Sequence, residues 1–170
     1  MNFSRLNAKT KDTAFPMTTP TTLLGKVAGK KWFSSVDMRQ SFFQIELKES
    51  CKKFTAFWAG NSSYEFKRSA VGFKTSPAIL QKLMTKVLRG TEGFTASLLD
   101  DVVIFSDTWE DHLKHIAIVL QRFREACLTL NKETCQFCLE TMKIVGYTLK
   151  HGKLLPSDDK IEAISKLGPA

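Results

Sequence analysis

The chain of 170 residues has few cysteines and prolines and no long hydrophobic run. No apolar stretch approaches the roughly 18–20 residues of a membrane span, and no segment resembles a signal peptide. The four cysteines form no even framework, so free thiols in a reducing compartment are expected. These absences predict an intracellular protein, cytoplasmic or nuclear, that is not secreted and has no membrane partner.

The spacing of Cys135 and Cys138 could supply half of a zinc site. No second Cys or His pair has matching spacing. We therefore expect buried strand cysteines rather than a metal site.

Acidic residues are scarce in the first half of the chain. Residues 1–90 carry 16 Lys and Arg against 5 Asp and Glu, whereas residues 91–170 carry 9 against 12. A basic half facing an acidic site is typical of a nucleic-acid cleft, in which cations follow the phosphates. A solvated basic surface is the alternative.

Hydrophobic residues make up 43% of the chain, enough for one sizeable core in one domain or two intimate subdomains. Turn and cap signals predict the order strand, helix, hairpin, helix, hairpin, which is an α+β order. Residues 8–25 are expected to be extended. The other predicted elements are a hairpin around Gly60-Asn61, helices at 76–88, 108–127 and 158–167, and a late hairpin that pairs 137–139 with 144–149.

The two long helices should each present an apolar stripe to the core. His112 and His115 are expected to be a structural pair rather than a metal or proton-transfer site. The predicted inward residues are Ile79, Leu80, Leu83, Met84, Val87 and Leu88 on the first helix and Leu113, Ile116, Val119, Leu120 and Phe123 on the second.

Asp100 and Asp101 lie between two apolar, strand-like runs, at the point where the chain must reverse. Two carboxylates about 4 Å apart repel by roughly 1 kcal/mol in bulk water, and by more in a partly buried turn. A divalent cation with oxygen ligands, magnesium or manganese, would remove that cost. An ordinary turn rich in Asp is the alternative.

Asp37 supplies a third acid, because it ends the strand-like run 31–36. A strand-end Asp and an Asp-Asp hairpin could place three carboxylates at one edge of a sheet. Two-metal phosphoryl transfer requires such a cluster of oxygen ligands. A helix N-cap is the alternative for Asp37.

With these acids in place, the chain resembles a reverse transcriptase, closest to that of gypsy-type LTR retrotransposons and the related retroviruses. The resemblance covers nearly the whole chain. The segments that carry it, in the family's order, are Leu6–Thr10, Phe33–Ile45, Phe54–Phe57, Tyr64–Phe66, Val71–Met84, Leu98–Asp101, Ile104–Ser106 with Glu110–His115, and Val145–Tyr147.

Three positions depart from the family pattern. Leu98 replaces the aromatic residue of Tyr-x-Asp-Asp, Ser69–Gly72 replaces Met-Pro-Phe-Gly, and Thr134 replaces a lysine. The resemblance also implies that upstream fingers strands are missing and that the chain stops near the thumb. A decayed or domesticated element copy fits these departures.

The resemblance implies an α+β right-hand polymerase palm, an antiparallel sheet backed by helices, with partial fingers and no thumb. Residues 1–170 would form one reverse transcriptase domain. Its expected parts are partial fingers at 1–30 and 50–75, palm at 31–49 and 76–150, and the start of the connection to thumb and RNase H at 151–170.

The implied function is template-directed addition of deoxynucleotides to a primer 3′ hydroxyl, by an enzyme from a retrotransposon pol polyprotein. Asp37, Asp100 and Asp101 would be catalytic and would hold two Mg²⁺ or Mn²⁺ ions. A catalytically weak or inactive remnant that binds nucleic acid or a partner is the alternative. A magnesium nuclease or cyclase is a third reading, which the segment 71–84 argues against.

The resemblance also implies substrate contacts. The partners would be an RNA or DNA template with its primer, deoxynucleoside triphosphates, and the thumb, RNase H and integrase of the polyprotein. Phe42 is expected to be a steric gate against ribonucleotides, with an ordinary core Phe as the alternative. The expected nucleotide-binding residues are Met38, Phe42, Val71 and Gly72, and the expected template- or primer-binding residues are Lys74, Pro77, Gln81, Gly146 and Tyr147.

Overall fold

The computed structural model describes residues 2–150 and 153–156, and the helix predicted at 158–167 lies outside this part. The α-helices are α1 (Ser4–Lys9), α2 (Pro20–Val27), α3 (Glu49–Lys52), α4 (Ser76–Val87) and α5 (Trp109–Glu125). The strands are β1 (Trp32–Asp37), β2 (Phe57–Ala59), β3 (Ser62–Tyr64), β4 (Thr95–Leu98), β5 (Asp101–Ser106), β6 (Gln136–Leu139), β7 (Thr141–Ile144), β8 (Tyr147–Lys150) and β9 (Lys153–Pro156). Short 3₁₀ turns cover Ser41–Gln44 and Lys53–Thr55.

A four-stranded antiparallel sheet in the order β4-β5-β1-β6 is the centre of the fold. Strands β1 and β5 pair along their whole length, from Trp32 opposite Ser106 to Asp37 opposite Asp101. Strands β2 and β3 form a separate hairpin, and β7, β8 and β9 form a three-stranded sheet. The predicted α+β class is confirmed.

Alternate residues of β1 and β5 are buried on opposite faces of the central sheet, as the two-residue strand period requires. One face packs on α4 and α5, and the other packs on α2 and the β7–β8 hairpin. The first cluster contains Val36, Met38, Leu80, Met84, Val87, Leu88, Val102, Ile104, Val119 and Phe123. The second contains Leu23, Leu24, Val27, Phe33, Ala96, Val103, Phe105, Met142 and Leu149.

The extended structure expected at residues 8–25 is wrong at both ends, because helix α1 continues to Lys9 and helix α2 begins at Pro20. The Thr19 hydroxyl caps this helix by accepting a hydrogen bond from the Thr22 amide at 3.2 Å. Pro20 occupies the first turn, where a missing N–H costs nothing. Burial of Leu23 and Val27 then stabilises a helix that local composition alone did not suggest.

The late hairpin was predicted with the wrong partners. Residues 137–139 belong to β6, which pairs with β1, and β8 pairs instead with β7. Strand β6 completes the edge of the central sheet by pairing with β1. The residues around β6 contain no sequence signal for so distant a partner. The predicted hairpin at Gly60-Asn61 is confirmed between β2 and β3.

Three residues expected in the core are exposed: Ile79, Leu113 and Leu120. On α5 the buried residues are His112, Val119 and Phe123. Leu113 and Leu120 each follow a buried residue by one position, which turns them about 100° away from the core. In residues 2–150 and 153–156, no helix is both long enough and apolar enough to cross a membrane.

Candidate active site

The ends of β1 and β5 bring the three predicted acids together. Asp37 is the last residue of β1 and lies opposite Asp101, the first residue of β5. Because directly opposite residues of an antiparallel pair point to the same face, these two side chains are neighbours. Asp100 immediately precedes β5, in the two-residue turn after β4.

Hydroxyl groups hold two of these carboxylates. The Ser41 hydroxyl donates to Asp100 Oδ2 at 3.1 Å, and the Thr134 hydroxyl donates to Asp37 Oδ2 at 2.6 Å. Neither hydroxyl is among the predicted site residues. Ser41 follows Asp37 by four residues within one resemblance segment, and this position is the signal that could have identified it. Thr134 is 97 residues from Asp37 in the chain and reaches its carboxylate only in the folded structure.

The acids repel one another. Partial burial, then the charge of Asp100, then that of Asp37 raise the pKa of Asp101 above its ordinary value. Within the described ranges, none of the three carboxylates forms an ion pair with a Lys or Arg. A cation near the acids would therefore relieve a repulsion that the protein leaves unneutralised.

The chemistry of this cluster fits a hard divalent cation, because every donor is an oxygen. The geometry is open, however. Across residues 2–150 and 153–156, no three His, Cys, Asp or Glu side chains are arranged around one ion position.

The turn that carries Asp100 is strained and is held from helix α4. Leu99 has φ +57°, a left-handed conformation that costs a non-glycine residue roughly 1–2 kcal/mol. Its amide donates to Gln81 Oε1 at 3.1 Å. The Gln81 amide nitrogen donates to the Ser97 hydroxyl of β4 at 3.3 Å and, more weakly, to the Thr18 hydroxyl at 3.5 Å. Gln81 is 2% exposed.

Met38 and Phe42 follow Asp37 along the chain. Met38 is buried and forms an isolated bridge with Leu130. Phe42 is half-buried in the 3₁₀ turn next to Ser41 and packs against the core cluster on the α4–α5 face. The bond from Ser41 to Asp100 therefore ties the turn that carries Phe42 to the acids.

The loop before α4 is fastened to the N-terminal helix α1. Asn7 donates through Nδ2 to the Gly72 carbonyl at 2.8 Å and accepts through Oδ1 from the Lys74 amide at 2.9 Å. Gly72 has φ +99°, and an added Cβ would lie 3.4 Å from the Phe3 ring. Val71 beside it is exposed. Asn7 lies in a resemblance segment but was given no role.

Lys74 and Pro77 lie at the entrance to α4. The Lys74 ammonium pairs with Asp12 at 2.6 Å, and Pro77 occupies the first turn of the helix. Among the described residues, no hydrogen bond or ion pair joins Lys74 or Pro77 to the three acids.

The β7–β8 hairpin lies beside Asp101. A cleft of about 180 Å³ separates them and is lined by Leu98, Asp101, Lys143 and Val145, among others. Val145 and Gly146 form the two-residue turn, with φ +47° and +72°. Positive φ at both positions is typical of the type I′ turn. Tyr147 opens β8 directly after this turn.

A protein-family model described as "Reverse transcriptase (RNA-dependent DNA polymerase)" matches residues 1–149. A retrovirus-related Pol polyprotein from the transposon opus of Drosophila melanogaster is 31% identical over 170 residues, which are 99% of this chain and 17% of the relative. An enzymatic polyprotein of cauliflower mosaic virus is 31% identical over 166 residues, 98% of this chain and 24% of the relative. The chain thus spans about a quarter or less of these two relatives.

Solved structures of foamy viral protease-reverse transcriptase share the fold. One in complex with double-stranded DNA has a TM-score of 0.89 at 16% identity, covering 99% of this chain and 30% of that one. Another in complex with an RNA/DNA hybrid has a TM-score of 0.86 at 16% identity, covering 99% and 23%. The predicted palm and fingers architecture is confirmed at the level of fold, whereas the narrower assignment to gypsy-type elements stays a prediction.

Proposed function

The chain belongs to the reverse transcriptase (RNA-dependent DNA polymerase) family, and from this premise we propose that it adds deoxynucleotides to a primer 3′ hydroxyl along an RNA or DNA template. The observation that carries the proposal is the meeting of Asp37, Asp100 and Asp101 at one end of the central sheet. Their charges face no cation among the described residues, and this supports a role in binding metal.

Asp37, Asp100 and Asp101 would hold two Mg²⁺ or Mn²⁺ ions. Ions held there would supply a lower pKa at the primer hydroxyl and neutralisation of the triphosphate charge. The hydroxyls of Ser41 and Thr134 orient two of the carboxylates before substrate arrives. Orientation in advance lowers the reorganisation that catalysis requires.

The nucleotide would lie between the 3₁₀ turn that carries Phe42 and the loop at Val71 and Gly72. The ring of Phe42 would meet a ribose 2′ hydroxyl and so favour deoxynucleotides. Gly72 lets the backbone approach the substrate, because it has no Cβ. Met38, predicted to bind the nucleotide, has a buried side chain in the core cluster, so it would contribute through its backbone beside Asp37.

Nucleic acid would follow the basic half of the chain. Lys74 and Pro77 at the start of α4 would contact the template. Gly146 and Tyr147, beside the cleft at Asp101, would position the primer end. Gln81 was expected at the template as well, but its side chain is buried behind these positions.

The chain would act as part of a pol polyprotein with thumb, RNase H and integrase, inside the cell. Two relatives are themselves named polyproteins. We propose partial fingers at 1–30 and 50–75 and palm at 31–49 and 76–150, with 151–170 leading to the thumb. Residues 151, 152 and 157–170 lie outside the described structure.

Primer extension tests the proposal. A longer polypeptide that adds flanking fingers and thumb should extend a primer in Mg²⁺ or Mn²⁺ with deoxynucleotides. Asp100→Asn should reduce extension by at least about a hundredfold while duplex binding persists. An active Asp100→Asn variant would remove the proposed role of the carboxylates.

The open arrangement of the acids favours a second candidate, a non-catalytic remnant that binds nucleic acid or a partner. Leu98 and Val71, where the family has aromatic residues, point the same way. Duplex binding by the longer polypeptide without any extension would favour this candidate.

A further inference from the structure

The side chain of Gln81 is buried between helix α4 and the turn that carries the acids. Its oxygen accepts from the Leu99 amide and its nitrogen donates to Ser97, so both ends of the amide are used. A side chain that is 2% exposed with both ends bonded is not free to bind a template. Gln81 must therefore act through the groups that it contacts.

The contacted turn needs support. Two-residue hairpin loops place residues with positive φ where glycine or asparagine is preferred, and here a leucine holds that position. Such a conformation persists only when the surroundings impose it. Gln81 contacts the backbone of this turn at Leu99, and Ser41 contacts its side chain at Asp100.

We propose that Gln81 is a positioning residue, which fixes the turn at Leu99 so that Asp100 and Asp101 present their carboxylates together to a divalent cation. The inference rests on the proposed function, because it assumes that these acids bind metal. Helix α4, which carries expected template contacts, would then also fix the positions of the acids through Gln81.

Manganese binding to the 170-residue chain tests the proposal without any turnover. Gln81→Met keeps the length of the side chain and removes all three of its side-chain hydrogen bonds, to Leu99, Ser97 and Thr18. We expect this substitution to weaken Mn²⁺ binding about tenfold. That is the loss expected when the hydrogen bond from Leu99 no longer fixes the turn that carries Asp100 and Asp101. Hydrogen exchange at the Leu99 amide should accelerate by at least as much, because its acceptor is gone.

Two variants provide controls. Gln121→Met removes an exposed glutamine on α5 that bonds only Glu125 in its own helix, so both readouts should stay at the wild-type value. Ser97→Ala removes the partner of the Gln81 nitrogen but keeps the bond to Leu99, so Mn²⁺ affinity should change less than twofold. If Gln81→Met does not fold, Gln81→Glu still offers an acceptor, and Leu99 should stay protected.

The outcomes separate the roles that Gln81 could have. A lower melting temperature with unchanged Mn²⁺ affinity would reduce Gln81 to a core residue and overturn the proposal. Weaker duplex binding with unchanged Mn²⁺ affinity and Leu99 exchange would overturn it in favour of template contact. Mn²⁺ binding that Asp100→Asn leaves intact, or no binding by the wild type, would overturn the proposed function instead. Exchange at Leu99 would then still decide whether Gln81 holds the turn.

Discussion

The pKa of Asp101 is raised by partial burial and by the charges of Asp100 and Asp37. The folded chain therefore holds a proton there more readily than the unfolded chain does. Without a divalent cation, stability must therefore fall as pH rises from the ordinary value of 3.8 through the raised value. The folded state is less stable when the site is fully charged, and a bound cation would offset this cost.

The first prediction removes this charge. Asp101→Asn should raise the melting temperature of the metal-free chain at pH 7 by about 1–2 °C, since the carboxylate is only partly buried. The gain should disappear below pH 3.8, where the wild-type group is also neutral, and shrink in saturating Mg²⁺. Melting curves at several pH values measure it. A gain that persists unchanged in acid would mean that charge is not its cause.

The second prediction concerns Phe42, which packs on the core with one side and follows the Ser41 contact to Asp100. In the longer polypeptide, Phe42→Ala should raise ribonucleotide incorporation relative to deoxynucleotide incorporation by at least about tenfold, or 1.4 kcal/mol of lost discrimination. Single-nucleotide extension with each substrate measures this ratio. Phe43→Ala, at an exposed neighbouring position, is the matched control. An unchanged ratio in an active Phe42→Ala variant would make Phe42 a core residue only.

At the scale of elements, local signals and long-range pairing differ in what sequence can predict. Strand β1 and the β4–β5 hairpin were predicted because apolar runs and Asp at their ends mark strands and turns directly. Helix α2 was missed although Thr19-Pro20 is a cap signal, because the flanking Thr and Pro residues suggested a loop. The pairing of β6 with β1 could not be predicted, because nothing near residue 136 encodes a partner a hundred residues away.

The same limit applies to the site. Asp37, Asp100 and Asp101 stand out as acids at strand ends. Ser41 and Asn7 lie in resemblance segments and Thr134 departs from the family pattern, but their contacts exist only after the fold brings separate segments together. Gln81 was identified by resemblance, but its partner at Leu99 depends on the position of α4 against the hairpin.

Helix α5 is fastened to the sheet by two histidines that share one hydroxyl. His112 bonds Ser34 at 2.8 Å and Ser106 at 2.9 Å, and His115 bonds Ser106 at 2.8 Å. The Ser106 hydroxyl has one proton, so it cannot donate to both rings. Burial lowers the pKa of both histidines below the ordinary value. These bonds agree with the structural role predicted for the pair.

The third prediction follows from the sign of these shifts. The unfolded chain binds protons at its histidines first, so stability must fall as pH drops through the ordinary value of 6.5. His112→Gln should destabilise the chain at pH 7.5 but flatten the loss between pH 7.5 and 5.5. Urea unfolding at each pH measures it. A variant whose stability falls as steeply as that of the wild type would assign the loss to other groups.

For the molecule as a whole, charge is divided between the two halves of the chain. The first 90 residues supply most of the cations, and the acids at the β1 and β5 ends form a local region of opposite sign. A nucleic-acid backbone would be attracted to the basic half and held off the acids unless a cation intervenes. This division would make the affinity for a duplex dependent on salt and, at the acids, on metal.

The last prediction tests whether Lys74 contacts the phosphate backbone of a bound duplex. Duplex binding by the chain should weaken steeply with salt and depend little on sequence. Lys74→Gln should lower the salt slope by about 0.9, the value for one lost phosphate contact on B-form DNA. Asp12→Asn should instead strengthen binding, because it frees the Lys74 ammonium from its ion pair. Binding isotherms at four salt concentrations measure both effects.

Lys114→Gln is the matched control, since Lys114 is an exposed lysine of α5 that pairs with Asp111 in its own helix. It should leave the slope unchanged, because the net charge falls by the same amount at a position far along the chain from the proposed template entrance. Equal losses in Lys74→Gln and Lys114→Gln would mean that only total charge matters. A slope near zero for the wild type would point to a protein partner, because protein contacts release few counterions. Opposite effects of Lys74→Gln and Asp12→Asn, with no effect of Lys114→Gln, would place the duplex at the entrance to α4.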